Sequence, residues 1–315
     1  MKVLVIQQRY GIGDMVIFLP YLHALSKELG CPITLLAKKS SNAEALFAND
    51  EHISEIIELE KSKDGLSGFF KLSKELKARN FDKVFIFNGS LRYFLLSKFA
   101  GIKSIYQYPL FISKDIIFQT AKTFTETFLK HPVSTQPKLR IDTKASELSK
   151  KKLFMNKDFK HIILGVSASG PTKRWPVENY IRLAENLLKI SNCKFYLALG
   201  KNDCDIEEKI MSSKIKEACL SFSKIGIKET LPIIKNADLY VGNDTGFLHI
   251  SSALNINCVG IYVDSPAFSY SAYSNNIEAI VPINETINTT THNTLGAKNI
   301  SFNEVLEKVK KKLNL

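Results

Sequence analysis

With 315 residues, 45% of them hydrophobic and 23% charged, the chain exceeds what one hydrophobic core commonly supports, so two domains are expected. Its apolar runs, such as 161–166 and 195–200, fall far short of a bilayer span, and five scattered cysteines (Cys31, Cys193, Cys204, Cys219, Cys258) exclude a disulfide framework. The formal charge of +12 is shared by both halves and comes with no zinc finger, aromatic RNA-binding signature or basic helix, which argues against nucleic acid as a partner.

The opening MKVLVIQQRY runs straight into a strand pattern, without the long apolar region and small-residue cleavage site of a signal peptide, so a cytoplasmic protein is expected. KVLVI (2–6) reads as a strand buried on both faces. A glycine turn follows, then apolar residues at helical spacing over 15–29. Further strands are expected at 32–37, 53–59 and 82–88, with helices at 40–48 and 66–78 between them. Alternation of this kind predicts parallel βαβ units with right-handed crossovers.

The polar stretch around 134–159, with Pro132 and Pro137 at its start and a lysine cluster at Lys150, Lys151 and Lys152, reads as an interdomain connection. A second series then begins. Strands are expected at 161–167, 194–200, 220–223, 239–243 and 258–263, and helices at 176–190, 205–213, 228–237 and 246–254. The predicted organisation is an N-terminal Rossmann-like domain over 1–145, a linker over 146–159, a C-terminal Rossmann-like domain over 160–300 and a last helix over 301–315.

Three strand-to-helix junctions hold the residues suited to chemistry. Gly11-Ile-Gly13-Asp14 half-matches a dinucleotide fingerprint, but Val16 stands at the third glycine position, which counts against a nicotinamide-dependent oxidoreductase. The glycines still permit a sharp turn into a helix at the carboxyl end of a sheet, with Asp14 at its start as a helix cap or a general base. In Gly165–Pro176, small hydroxyl residues and the cations Lys173 and Arg174 precede a proline-started helix, a composition suited to an anion. In Gly242–His249 the free amides of Thr245 and Gly246 form an anion seat, and His249 lies one helical turn further on. Asp203-Cys204-Asp205 fits a short metal-chelating pattern but reads more simply as a helix start.

In order and spacing, GIGD near the start, K-R-W-P in the middle and D-T-G-x-x-H later resemble the heptosyltransferases of glycosyltransferase family 9. The resemblance implies a GT-B fold, α/β throughout, with two Rossmann-like domains whose parallel sheets face each other across a cleft. It implies inverting transfer of a sugar, heptose from an ADP-heptose donor, to a lipopolysaccharide core or related glycan or glycolipid acceptor, with no catalytic metal and no cofactor. Asp14 resembles the family's catalytic base, and Ser169 and Lys173 its donor contacts, Lys173 also stabilising the leaving diphosphate. Asp244 resembles the residue that holds the donor sugar, with Thr245, Gly246 and His249 around the pyrophosphate. The acid on the ribose maps to Glu207 or Glu208, and the loop around Ile225 to the neighbourhood of the base. A lipid-linked acceptor implies peripheral contact with the cytoplasmic face of the inner membrane. A different nucleotide-hexose donor, or a non-catalytic nucleotide-sugar-binding protein, remains an alternative.

Overall fold

The run Val3–Gln7 (β1) is buried along its whole length, as a strand covered by helices on both faces of a parallel sheet must be. The structure, a computed structural model, describes residues 1–60, 63, 65–109 and 116–315. The chain divides into two compact units, Met1–Leu139 and Arg140–Leu315.

In the first unit β1 is followed by α1 (Ile12–Glu28), β2 (Ile33–Lys38), α2 (Ala43–Phe47), β3 (Ile53–Leu59), α3 (Gly65–Arg79), β4 (Lys83–Ile86), α4 (Leu91–Phe99), β5 (Ser104–Gln107) and α5 (Ile117–Leu129). The strands pair in parallel in the order β3-β2-β1-β4-β5. Leu4, Ile6, Val84 and Ile86 pack on one face with Phe69, Leu72 and Leu76 of α3 and Tyr93 and Leu96 of α4. Phe85 and Phe87, next to these along the chain, meet Phe128 of α5 and Phe18 of α1 edge-to-face at 4.8 and 5.4 Å. The alternation of side chains along β4 thus sorts its helices to opposite sides of the sheet.

The second unit runs α6 (Thr143–Lys152), β6 (Lys160–Gly165), α7 (Val177–Leu188), β7 (Cys193–Leu197), α8 (Cys204–Met211), β8 (Cys219–Ser221), α9 (Ile227–Lys235), β9 (Leu239–Asn243), α10 (Gly246–Ala253), β10 (Asn257–Ile261), α11 (Ala267–Ser271), β11 (Ile277–Ile280) and α12 (Phe302–Leu313). Its strands, again parallel, take the order β11-β10-β9-β6-β7-β8. In each sheet the winding reverses beside the first strand, between β1 and β4 and between β6 and β9. Loops leaving the carboxyl ends of such strand pairs diverge and open a ligand crevice.

The division of the chain differs from the sequence reading in two places. It falls at Leu139/Arg140 rather than at 145, and much of the stretch read as a linker is helix α6. Asp142 caps that helix through the Lys144 amide at 2.9 Å, and the Asn236 side chain, just past α9, donates to the Ser146 carbonyl at 3.0 Å. Polarity misled there, since α6 has no buried residue and carries Lys150, Lys151 and Lys152 in its last turn, where the helix dipole favours them. The last helix, set apart from the second domain in the sequence reading, supplies Val305, Val309 and Leu313 to the core of the second unit.

The pairing of β6 with β9 brings Gly165 opposite Gly242. A Cβ built on Gly242 would stand 2.4 Å from the Gly165 Cα, and one on Gly165 would stand 1.8 Å from the Tyr240 hydroxyl. Both strand ends therefore exclude any side chain. Gly242→Ala is expected to lower the unfolding free energy by about 2 kcal/mol or more, the cost of overpacking a backbone contact that has no room to relax. Urea denaturation checks this, and an unchanged midpoint would contradict the close approach.

Candidate functional site

Each unit presents its chemistry where the winding reverses. In the first, β1 ends at Gln7, whose side-chain oxygen accepts the Arg9 amide at 2.5 Å and turns the chain out of the sheet. Gly11 is the N-cap of α1 in an extended conformation, so the helix begins at Ile12 and Asp14 lies inside its first turn. No side-chain cap bond forms at this end. Asp14 is therefore not the capping residue. It has the favourable end of the helix dipole instead, and the Arg9 guanidinium stands 3.7 Å from its carboxylate. The Asp14 side chain is mostly covered but not sealed. Tyr10, strongly exposed, lies between these two residues in sequence, with the Lys38 ammonium 5.1 Å from its ring centre.

In the second unit, Asn243 holds the two central junctions together. Its side chain is fully buried; the oxygen accepts the Trp175 amide at 2.9 Å, and the nitrogen donates to the carbonyls of Val166 and Ser167 at 3.1 and 3.2 Å. One amide from the end of β9 thus fixes both ends of the loop that links β6 to α7. Trp175 is buried edge-to-face on Tyr180 and stacked near Phe302 of α12, which anchors the same loop from below.

The two cations of that loop have different fates. Arg174 donates to the Asp203 carboxylate at 2.8 Å, and the same carboxylate accepts the Ser167 hydroxyl at 2.7 Å and the Gly200 amide at 2.9 Å. Asp203 is buried and fully engaged as a brace, so it is not free to chelate a metal ion. Lys173 sits in a single turn, Pro171–Lys173, and its ammonium has no ion-pair partner among the described residues. Ser169 is exposed on the same loop. One uncompensated cation therefore stands beside the start of α7.

At the neighbouring junction Thr245 is the N-cap of α10, and no side chain caps the helix. The first-turn amides of a helix have no partner within it and carry its positive dipole end. The Thr245 hydroxyl lies 3.3 Å from that of Tyr240, which donates to the Asn243 carbonyl at 2.8 Å. Thr245 and Gly246 are half-buried and well placed as an anion seat.

His249 lies one turn inside α10, as its spacing from Thr245 requires. It is buried, with Nε2 3.2 Å from the Asp244 carboxylate and Nδ1 2.6 Å from the Tyr273 hydroxyl. A carboxylate only accepts, so Nε2 donates to Asp244, and Nδ1 pairs with the Tyr273 hydroxyl. Burial, with the Asp244 charge nearby, pushes the Tyr273 phenol well above its ordinary value and keeps it a donor. Both ring nitrogens thus have partners inside the protein, and the imidazole orients Asp244.

Of the two acids considered at α8, Glu207 is half-buried and accepts the Ser223 hydroxyl at 2.9 Å, beside the end of β8, whereas Glu208 is exposed. Ile225 lies half-buried in the loop that follows. Asn243, Tyr273 and Arg9 complete these sites and were given no role in the sequence reading; Asp203, read as a helix start, does precede α8 and also braces the loop. Asn243 is adjacent to the D-T-G motif, so its place between two glycine-lined strand ends was the available signal. Tyr273, more than twenty residues from its partner, gave none. Asp203→Ala is expected to cost about 2 kcal/mol of stability by stranding Arg174 and two other donors; chemical denaturation measures it, and a loss below a few tenths would contradict the brace.

Comparison with known proteins adds to this geometry. The family model for glycosyltransferase family 9 (heptosyltransferase) matches residues 111–298. Lipopolysaccharide heptosyltransferase 1 of Campylobacter coli is 27% identical over 156 residues, 48% of this chain and 45% of that protein. Lipooligosaccharide heptosyltransferase 2 of Haemophilus influenzae is 30% identical over 96 residues, 30% of this chain and 28% of that protein. The aligned stretches thus span less than half the length of both curated relatives. The solved structure of Escherichia coli ADP-heptose lps heptosyltransferase II superposes with a TM-score of 0.77 at 20% identity, covering 100% of this chain and 99% of that one.

Proposed function

The chain belongs to glycosyltransferase family 9 and has its GT-B fold, and from that premise we propose that it is an inverting, metal-independent transferase that moves heptose from an ADP-heptose donor to a lipopolysaccharide core or related glycolipid. The observation that carries this reading is the pairing within the second unit of an uncompensated Lys173 with the uncapped start of α10, on two loops fixed by one buried asparagine. The relatives, lipopolysaccharide and lipooligosaccharide heptosyltransferases and an ADP-heptose heptosyltransferase, supply the donor and acceptor classes.

In this mechanism the acceptor hydroxyl attacks the anomeric carbon while Asp14 takes its proton, as general-base catalysis requires. The bond from that carbon to the diphosphate oxygen breaks in the same step, and the departing ADP carries the electron pair away. Lys173 and the amides of Thr245 and Gly246 stabilise the charge gathering on the diphosphate, work that other transferases give to a cation. Ser169 adds a hydroxyl to the phosphate or sugar. Asp244, aimed by His249 and through it by Tyr273, holds the sugar hydroxyls, and Glu207 takes the ribose. The Arg9 guanidinium, 3.7 Å from the Asp14 carboxylate, stands beside the base.

No helix among the described residues is long and apolar enough to cross a membrane. A cytoplasmic enzyme working at the inner face of the membrane is consistent with that and with a lipid-linked acceptor.

Asp14→Ala is expected to lower turnover by about 100-fold or more while ADP-heptose affinity stays nearly unchanged. Weakened donor binding with normal turnover would reject Asp14 as the base. Transfer should survive EDTA; complete loss, restored by manganese, would overturn the metal-independent mechanism. Running the same assay with GDP- and UDP-sugars tests the choice of donor, and preference for either would replace ADP-heptose.

A further inference from the structure

The first unit exposes an apolar face that its own core does not use. On α3, Leu66 and Phe70 are 80% and 60% exposed; on α4, Leu91 and Phe99 are each 58% exposed and Leu95 is 39% exposed. Residues four apart share one face of a helix, so Leu66 and Phe70 form one stripe and Leu91, Leu95 and Phe99 another. The stripes join through aromatic rings: Phe70 and Phe99 are edge-to-face at 6.4 Å, and Phe69 beneath them meets both at 5.4 and 5.7 Å. The Arg92 guanidinium fixes the two helices against each other, donating to the carbonyls of Lys63 and Gly65 at 3.0 and 3.2 Å. A patch of this kind, clustered rather than scattered, marks a docking surface.

Its charge selects the occupant. The two helices carry Lys71, Lys74, Lys77, Arg79, Arg92 and Lys98 against a single acid, Glu75. That acid is neutralised by Lys63 at 3.1 Å and Arg79 at 3.4 Å. Lys71, Lys74, Lys77 and Lys98 are exposed and have no carboxylate partner among the described residues. A second copy of the chain is a poor match, because a two-fold contact would set these lysines against themselves. Aromatic and leucine side chains ringed by lysines instead suit the boundary between headgroups and acyl chains of an anionic bilayer.

We propose that the α3–α4 face docks the protein on anionic phospholipid, with Leu66, Phe70, Leu91, Leu95 and Phe99 entering the interface and Lys71, Lys74 and Lys98 holding the headgroups. This deepens the reading of a glycolipid acceptor, but its test uses vesicles that contain no acceptor. Failure of docking and failure of transfer are therefore separately visible.

The experiment is flotation of the full chain with vesicles of phosphatidylethanolamine and phosphatidylglycerol, against vesicles of phosphatidylcholine alone. The wild type should float with the anionic vesicles, less so at high salt, and not with the zwitterionic ones. Each lysine near an anionic surface is worth about fivefold in partitioning, so Lys71→Ala/Lys74→Ala/Lys98→Ala should lose roughly a hundredfold. Phe70→Ser/Phe99→Ser should lose at least about tenfold. The far-ultraviolet circular dichroism and the urea midpoint should be unchanged in both variants, which reports that they fold. Trp175, the chain's one tryptophan, is buried, so an added tryptophan in Phe99→Trp should shift its emission to the blue only with anionic vesicles. Wild-type protein that stays with the soluble fraction, or variants that float as well as wild type, would overturn the proposal. So would a change in oligomeric mass with flotation unchanged, which would assign the face to a protein contact.

Discussion

Asn243 is the residue on which the rest of the second unit depends. It ends the strand beside the point where the sheet reverses, is fully buried, and makes three hydrogen bonds to the loop that leaves the adjacent strand. Gly165 and Gly242 let the two strand ends come close enough for those bonds to form. A backbone approach, a buried amide and two helix starts together make one rigid support, and rigidity is what electrostatic stabilisation of a leaving group demands, because donors that must first reorganise lose much of their effect.

The unit also disposes of its charged groups unevenly. Asp203 takes up Arg174, a hydroxyl and a backbone amide, so of two neighbouring cations one stabilises the fold and the other stays available. His249 disappears into the protein and aims a carboxylate in doing so. The same division is found in the first unit, where Arg9 balances an acid at the start of α1 without enclosing it. In each case a charged group has a partner inside its own unit, and Asp14 and Asp244 keep part of their surface open.

Much of this was legible in the residues. The parallel βαβ series followed from strand runs such as 239–243, whose bounds the structure reproduces, and the junctions at Asp14, Lys173 and Thr245 stood out because small residues ahead of a helix start have few other uses. The second half of the first unit was not legible. α4, β5 and α5 were not anticipated, since β5 is short and only half-buried and α4 has apolar residues on all sides, which blurs the helical period. That all-round apolar character has a physical cause in the exposed leucine stripe. α6 was mistaken for a connection because a helix with no buried face looks like a loop in composition. The partners of His249 were not legible, because sequence spacing gives a residue's side of a helix but not the distant tyrosine that bonds its ring.

Whether the two junctions of the second unit serve one diphosphate is most directly tested by titrating ADP into isotope-labelled protein and following backbone amide resonances. One shared seat requires the amides of Lys173 and Arg174 and those of Thr245 and Gly246 to shift together, with one dissociation constant. In Lys173→Ala both groups should respond about tenfold more weakly, in keeping with the loss of one charge-assisted contact. Shifts confined to a single junction, or two groups titrating with separate constants, would contradict it.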